Sequence, residues 1–175
     1  GSFTLKNIKA KTIGILVVGG ADKVGITRMD CYTYNLPADS KDYPLYTLSQ
    51  TTGAAIEGSV GIKYNPDTTS VTSGVFWVNK KNSEERGPVG CAKVEFTNAE
   101  TDDPAEGEVY YTADNRLPDA TQKQTQTSKS VGGVALLDAA PGKIKITAFL
   151  EGEQFGDPIE LPLIPNKDGQ GELTN

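Results

Sequence analysis

Short apolar runs rich in β-branched and aromatic residues recur along the chain, separated by Gly, Pro, Asn and Asp. No long run places apolar residues at i, i+3, i+4 and i+7 without an intervening Gly or Pro, so helical periodicity is nearly absent. That pattern belongs to a β-sandwich or barrel. It predicts strands over residues 12–18, 24–34, 43–49, 55–64 and 74–79. After a charged loop at 80–88, it predicts further strands over 91–97, 106–112, 121–127, 133–137, 143–150 and 154–164. Run 12–18 is continuously apolar, as in a strand covered on both faces. In 55–64, Ile56, Val60 and Ile62 alternate with smaller or polar residues. In 91–97, Ala92, Val94 and Phe96 oppose Cys91, Lys93 and Glu95, which gives one apolar face and one wet face. Gly19-Gly20-Ala21-Asp22 and Asn65-Pro66-Asp67 read as turns. Pro158 and Pro162 cannot donate to a ladder, so the last run is expected at an edge or a bulge. Residues 166–175 read as a tail.

Composition narrows the function. The 175 residues carry a net charge of −6 and form no basic patch, which argues against a nucleic-acid partner. No stretch approaches the roughly 18 apolar residues of a membrane-spanning helix. Histidine is absent. Its absence removes Ser-His-Asp and Cys-His nucleophilic catalysis, the commonest zinc ligand and the usual proton shuttle at neutral pH. The Asp and Glu residues fall in predicted loops or on wet strand faces, a poor setting for a catalytic carboxylate pair. The expectation is a protein without enzymatic turnover.

The two cysteines, Cys31 and Cys91, both fall in strand-like runs. In an exported protein they are expected to form one disulfide. The bridge would close a loop of about 60 residues and contribute roughly 4 kcal/mol in the chain-entropy model. The alternative is a pair of buried free thiols.

Three other candidates carry chemistry. Asp102, Asp103 and Glu106 lie in a Pro-containing loop of the kind that supplies oxygen ligands to calcium, although a solvated loop is the simpler explanation. Trp77, the sole tryptophan, lies in the apolar run Val75-Phe76-Trp77-Val78. That run reads as a strand covered on both faces, or alternatively as an aromatic platform for a sugar. Tyr110 and Tyr111 are adjacent on a strand, so they must point to opposite faces, one core and one exposed, the exposed one being either a ligand contact or an ordinary surface aromatic.

Beyond residue 87 the chain shows Val89-Gly90-Cys91-Ala92-Lys93-Val94, then 107–111, then Asn115-Arg116-Leu117-Pro118. After a Thr-rich segment come Gly132-Gly133-Val134-Ala135 and Ala140-Pro141-Gly142-Lys143-Ile144-Lys145-Ile146-Thr147-Ala148, then Glu151-Gly152 and Phe155-Gly156. This segment resembles the carboxypeptidase regulatory-like, or transthyretin-like, β-sandwich found in envelope lipoproteins of myxobacterial type. The resemblance implies a hairpin from 133–137 to 143–148 through a Pro-Gly turn, and an accessory domain without catalytic residues of its own.

The reading is therefore an all-β, antiparallel sandwich, transthyretin-like or immunoglobulin-like, with extra N-terminal strands. It divides into a β-rich region at 3–86, a transthyretin-like domain at 87–165 and a tail at 166–175. The expected function is a non-catalytic binding or structural module of an exported bacterial envelope protein. It would meet a protein or glycan partner in the periplasm, at the outer-membrane surface or outside the cell. A carbohydrate-binding or calcium-dependent adhesion module is the alternative.

Overall fold

The computed structural model describes residues 13–20, 23–30, 48–79, 82–113, 117–126, 133–163 and 165. In chain order the elements are β1 (Ile13–Gly20), β2 (Lys23–Asp30), β3 (Leu48–Ser49), α1 (Gln50–Gly58), β4 (Thr69–Gly74), β5 (Phe76–Asn79) and β6 (Asn82–Pro88). Then come β7 (Ala92–Asn98), β8 (Glu108–Thr112), β9 (Pro118–Asp119), β10 (Gly133–Ala139), β11 (Gly142–Leu150), β12 (Glu153–Gln154) and β13 (Ile159–Leu163). Every strand pairing is antiparallel. The protein is all-β, as the hydrophobic pattern predicts.

The chain divides into two compact units, Gly1–Ser49 with Gly169–Asn175, and Gln50–Asp168. Position 87, where the sequence places a boundary, lies within β6. In the first unit β1 pairs with β2 from Ile13↔Asp30 to Gly20↔Lys23, and β3 adds to β2. Residues 31–34 and 43–47, also expected in strands, lie outside the described residues, as does the tail.

The second unit is a sandwich. One sheet runs β4-β10-β8-β9. In the other, β11 is central, with β7 on one edge and β12 and β13 pairing to it as well. Val134, Leu136 and Tyr111 of the first sheet meet Val94, Phe96, Ile144, Ile146 and Leu163 of the second in one buried cluster. Burying each such aliphatic side chain stabilises the fold by about 1.5–3 kcal/mol. The alternation read in 91–97 is realised along β7, where Ala92, Val94 and Phe96 are buried and Lys93 and Glu95 exposed.

The outer edge of β7 is covered. Ala92 N–H donates to Thr125 Oγ1 (3.0 Å) and Val94 N–H to the Tyr111 hydroxyl (2.9 Å). Phe96 C=O accepts from Ala105 N–H (2.9 Å), and Asn98 N–H donates to Asp103 C=O (2.8 Å). Side chains and loop backbone thus occupy the groups that another chain could otherwise pair with.

The structure corrects four expectations. Residues 55–64 do not form a strand, because α1 runs through Gly58. Ile56 and Val60 are four apart, a spacing that suits a helix as well as a strand, and Ala54-Ala55 favour the helix. The helix closes with Gly61 N–H donating to Gly58 C=O (3.1 Å) and Ile62 N–H to Glu57 C=O (3.0 Å). Gly61 has φ of 83°, the left-handed C-terminal stop that glycine adopts without strain.

Residues 80–88 are not all loop, since β6 pairs with β5 from Phe76↔Pro88. A two-stranded hairpin need not bury a face, so β6 carries no apolar alternation to reveal it.

Among residues 121–127, the described part, 121–126, is not a strand. Asp119 Oδ1 instead accepts from the Thr121 N–H (2.8 Å) and hydroxyl (2.7 Å), and local side-chain bonds of this kind compete with ladders.

Finally, β10 and β11 form no hairpin. β10 pairs with β4 and β8, whereas β11 pairs with β7, β12 and β13. β10 is buried along nearly its whole length, which requires neighbours on both edges and cover on both faces. Its ladder shifts register between Leu136 and Ala139, where Asp138 takes φ of 50°, and the chain crosses to the opposite sheet.

Candidate functional site

Val75 and Val89 are buried in the core cluster, and Val89 N–H donates to Val75 C=O (2.9 Å). The bond closes the base of the β5–β6 hairpin, and the burial of both valines anchors that base in the sandwich core. Beyond that base, Phe76 and Trp77 are 38% and 48% exposed. The expectation of a strand covered on both faces is therefore corrected, since both aromatics reach solvent. The reason is that β5 pairs with β6 alone and belongs to neither large sheet.

Trp77 stands directly across from Gly87. A Cβ placed on Gly87 would lie 2.6 Å from Trp77 Nε1, 2.9 Å from Cε2 and 3.0 Å from Cζ2. The indole therefore crosses to the neighbouring strand and occupies the room that a side chain at 87 would need. A cavity of about 190 Å³ opens between the sheets, with Val75, Phe76, Val94, Ile146, Phe155 and Asp157 in its wall; Trp77 does not line it.

The other candidates are placed as follows. Tyr111 is core, and its hydroxyl joins the two sheets through Val94. Burial pushes its pKa up, the Val94 N–H pulls it back, and the Glu95 carboxylate pushes it up again. Tyr110 is half-buried and donates to the Glu108 carboxylate. That bond holds its proton and raises its pKa, with lesser help from burial and the Glu108 charge. The opposite-face reading of the two tyrosines is correct, and the ligand-surface role of Tyr111 is not available to a buried side chain.

In the acidic loop, Asp102 pairs with Lys145 at φ of 62°, and Asp103 N–H bonds Thr101 Oγ1 (3.3 Å). Among the described residues no group of three or more acids, cysteines or histidines converges on a point that would hold a metal. Cys91 is exposed, with φ of 59°, and Cys31, its expected partner, lies outside the described residues.

The hydrophobic pattern does not reveal a buried carboxylate on α1. Glu57 is 3% exposed, Ser70 donates to its Oε1 (2.6 Å), and its Oε2 has no partner among the described residues. The same Ser70 Oγ accepts from Asp138 N–H (3.4 Å). Thr68, donating to Asp138 Oδ1 (2.7 Å), extends the network to the β10 bulge. Its placement makes it an anchor of α1 on the sheet.

No helix among the described residues is long and apolar enough to cross a membrane. The chain matches no family model, no curated protein and no solved structure.

Proposed function

We propose that the chain is a non-catalytic binding or structural module of an exported bacterial envelope protein, a lipoprotein ectodomain or a surface-assembly component. The observation that carries this reading is a hairpin anchored by Val75 and Val89 that holds Trp77 half in solvent. Exposing a large aromatic forgoes burial that would stabilise the fold, a sacrifice typical of contact residues. The absence of histidine from the whole chain and the resemblance of residues 87–165 to a transthyretin-like accessory domain support it further. The expected Cys31–Cys91 bridge belongs to the same reading, as does a location in the periplasm, at the outer-membrane surface or outside the cell. The carbohydrate-binding alternative draws support from Trp77. The calcium-dependent form is weakened by the commitment of Asp102 to Lys145.

The test is co-sedimentation of the purified protein with washed bacterial envelopes, with and without residues 79–86 replaced by a two-residue turn. Sedimentation of the intact protein and its loss on shortening the hairpin are expected. Failure of the intact protein to sediment removes the proposal.

A further inference from the structure

We propose that the cavity between the two sheets of the second unit binds a small arylalkylamine, with the aromatic ring among apolar side chains and the ammonium group at Asp157. The site is separate from the hairpin surface that carries the proposed function, and it does not rest on that reading.

The cavity follows from a change of side-chain size along β11. Ile144, Ile146, Ala148 and Leu150 share one face of the strand, because alternate residues point the same way. Ile144 and Ile146 are buried in the core, and Ala148 and Leu150 pack against it at its margin. At Ala148 the row offers one methyl group where its neighbours offer a branched chain. Ser73 and Gly74, at the end of β4, line the same space and are also small. Val75, Val94, Val134 and Ile146 are buried and complete the apolar lining, and the space left is about 190 Å³.

Apolar atoms around such a space lack contacts on one side, and a guest of matching shape restores them. An apolar cavity of about 150 Å³ accepts benzene. The larger volume takes a phenyl ring with a short carbon arm. Phe76 and Phe155 in the wall supply aromatic partners for that ring.

The segment between β12 and β13 builds the charged part of the wall. Phe155 N–H donates to Ala148 C=O (2.8 Å), Gln154 Nε2 donates to Gly156 C=O (2.9 Å), and Gly156 takes φ of 76°. These bonds tie Phe155 to β11 at Ala148 and bring the exposed Asp157 into the wall. A carboxylate beside an apolar pocket favours a cation, and the net charge of −6 adds to that preference. An alkyl amine is protonated at neutral pH, as a lysine side chain is. The ligand class is therefore an aromatic ring, a short arm and an ammonium.

The experiment is calorimetry of the intact chain at neutral pH with phenethylamine, with phenethyl alcohol as its neutral counterpart, and with ethylamine as the head group alone. Phenethylamine should bind at one site, phenethyl alcohol about 5-fold more weakly, and ethylamine without saturation. Asp157→Asn should bring the amine down to the affinity of the alcohol and leave the alcohol unchanged. Ala148→Leu fills the space, so it should weaken both ligands at least about 10-fold with Tm unchanged or raised. In the parent, nuclear Overhauser contacts should join the ligand ring to the methyl groups of Ala148 and Ile146, a readout that holds even if Ala148→Leu fails to fold.

Absence of saturable amine binding, absence of those contacts, or undiminished binding by folded Ala148→Leu overturns the site. Equal affinity of amine and alcohol in the parent, or a preference for the amine that survives Asp157→Asn, overturns the assignment of its ligand.

Discussion

Thr125 and Ala92 bond to each other twice: Ala92 N–H donates to Thr125 Oγ1 (3.0 Å), and Thr125 N–H donates to Ala92 C=O (2.9 Å). The same hydroxyl donates to Val89 C=O (2.7 Å), and Cys91 N–H donates to Thr125 C=O (2.9 Å). One residue thus ties down the turn that leads from the hairpin base into β7, and it holds Cys91 in its left-handed conformation. Thr125→Val keeps the shape and removes the hydroxyl, leaving a buried donor and a buried acceptor without partners. It should cost about 1–3 kcal/mol. In urea denaturation the midpoint should fall with the m-value unchanged. A midpoint within error of the parent would show that water or the local backbone replaces the hydroxyl.

Tyr111 joins the sheets through a single bond to Val94 N–H (2.9 Å). Tyr111→Phe should destabilise by about 1–3 kcal/mol at neutral pH, because the N–H remains buried. Burial is the main cause of its raised pKa. The unfolded chain therefore loses this proton first as pH passes the ordinary tyrosine value near 10. Its contribution is complete below about pH 10 and disappears as pH rises through the raised folded value. Unfolding free energy measured from pH 9 to 11.5 should fall less steeply in Tyr111→Phe than in the parent. Parallel curves would refute the assignment.

Gly133 lies opposite Thr112, and a Cβ on Gly133 would meet Thr112 Oγ1 at 2.3 Å. Thr112 is itself buried and cannot swing into solvent. Gly133→Ala should lower stability by about 1–3 kcal/mol through overpacking. Adding Thr112→Ala removes the clashing atoms, so the double variant should be more stable than the sum of the single changes. Simple additivity in this double-mutant cycle would place the cost elsewhere.

Cys91 is exposed, and its expected partner Cys31 lies outside the described residues. For the proposed bridge with Cys31, protein isolated from the periplasm without reductant should take up no alkylating agent after unfolding and two equivalents after reduction. Two labels before reduction would remove the bridge and weaken the case for export.

Much of the local structure was legible in the chain itself. The alternation at Ala92, Val94 and Phe96 fixes which face of β7 is buried, because a strand repeats every two residues and the apolar face must leave water. Asn65 makes its turn with its own side chain, accepting from Asp67 N–H (3.0 Å), so no distant partner is needed. Helix α1 escaped because Ile56 and Val60 fit both periods, and only the packing of Glu57 against Ser70 shows which one is used. β6 escaped because its partner strand, not an apolar face, defines it. The sheet crossing between β10 and β11 depends on which edges β4, β8, β7 and β13 fill, and these lie far apart in sequence. At the candidate site the sequence supplied the residue, the lone Trp77. Its exposure follows from the pairing of β5 with β6 alone and from the vacant side-chain position at Gly87, a pairing ten residues away that no local period encodes.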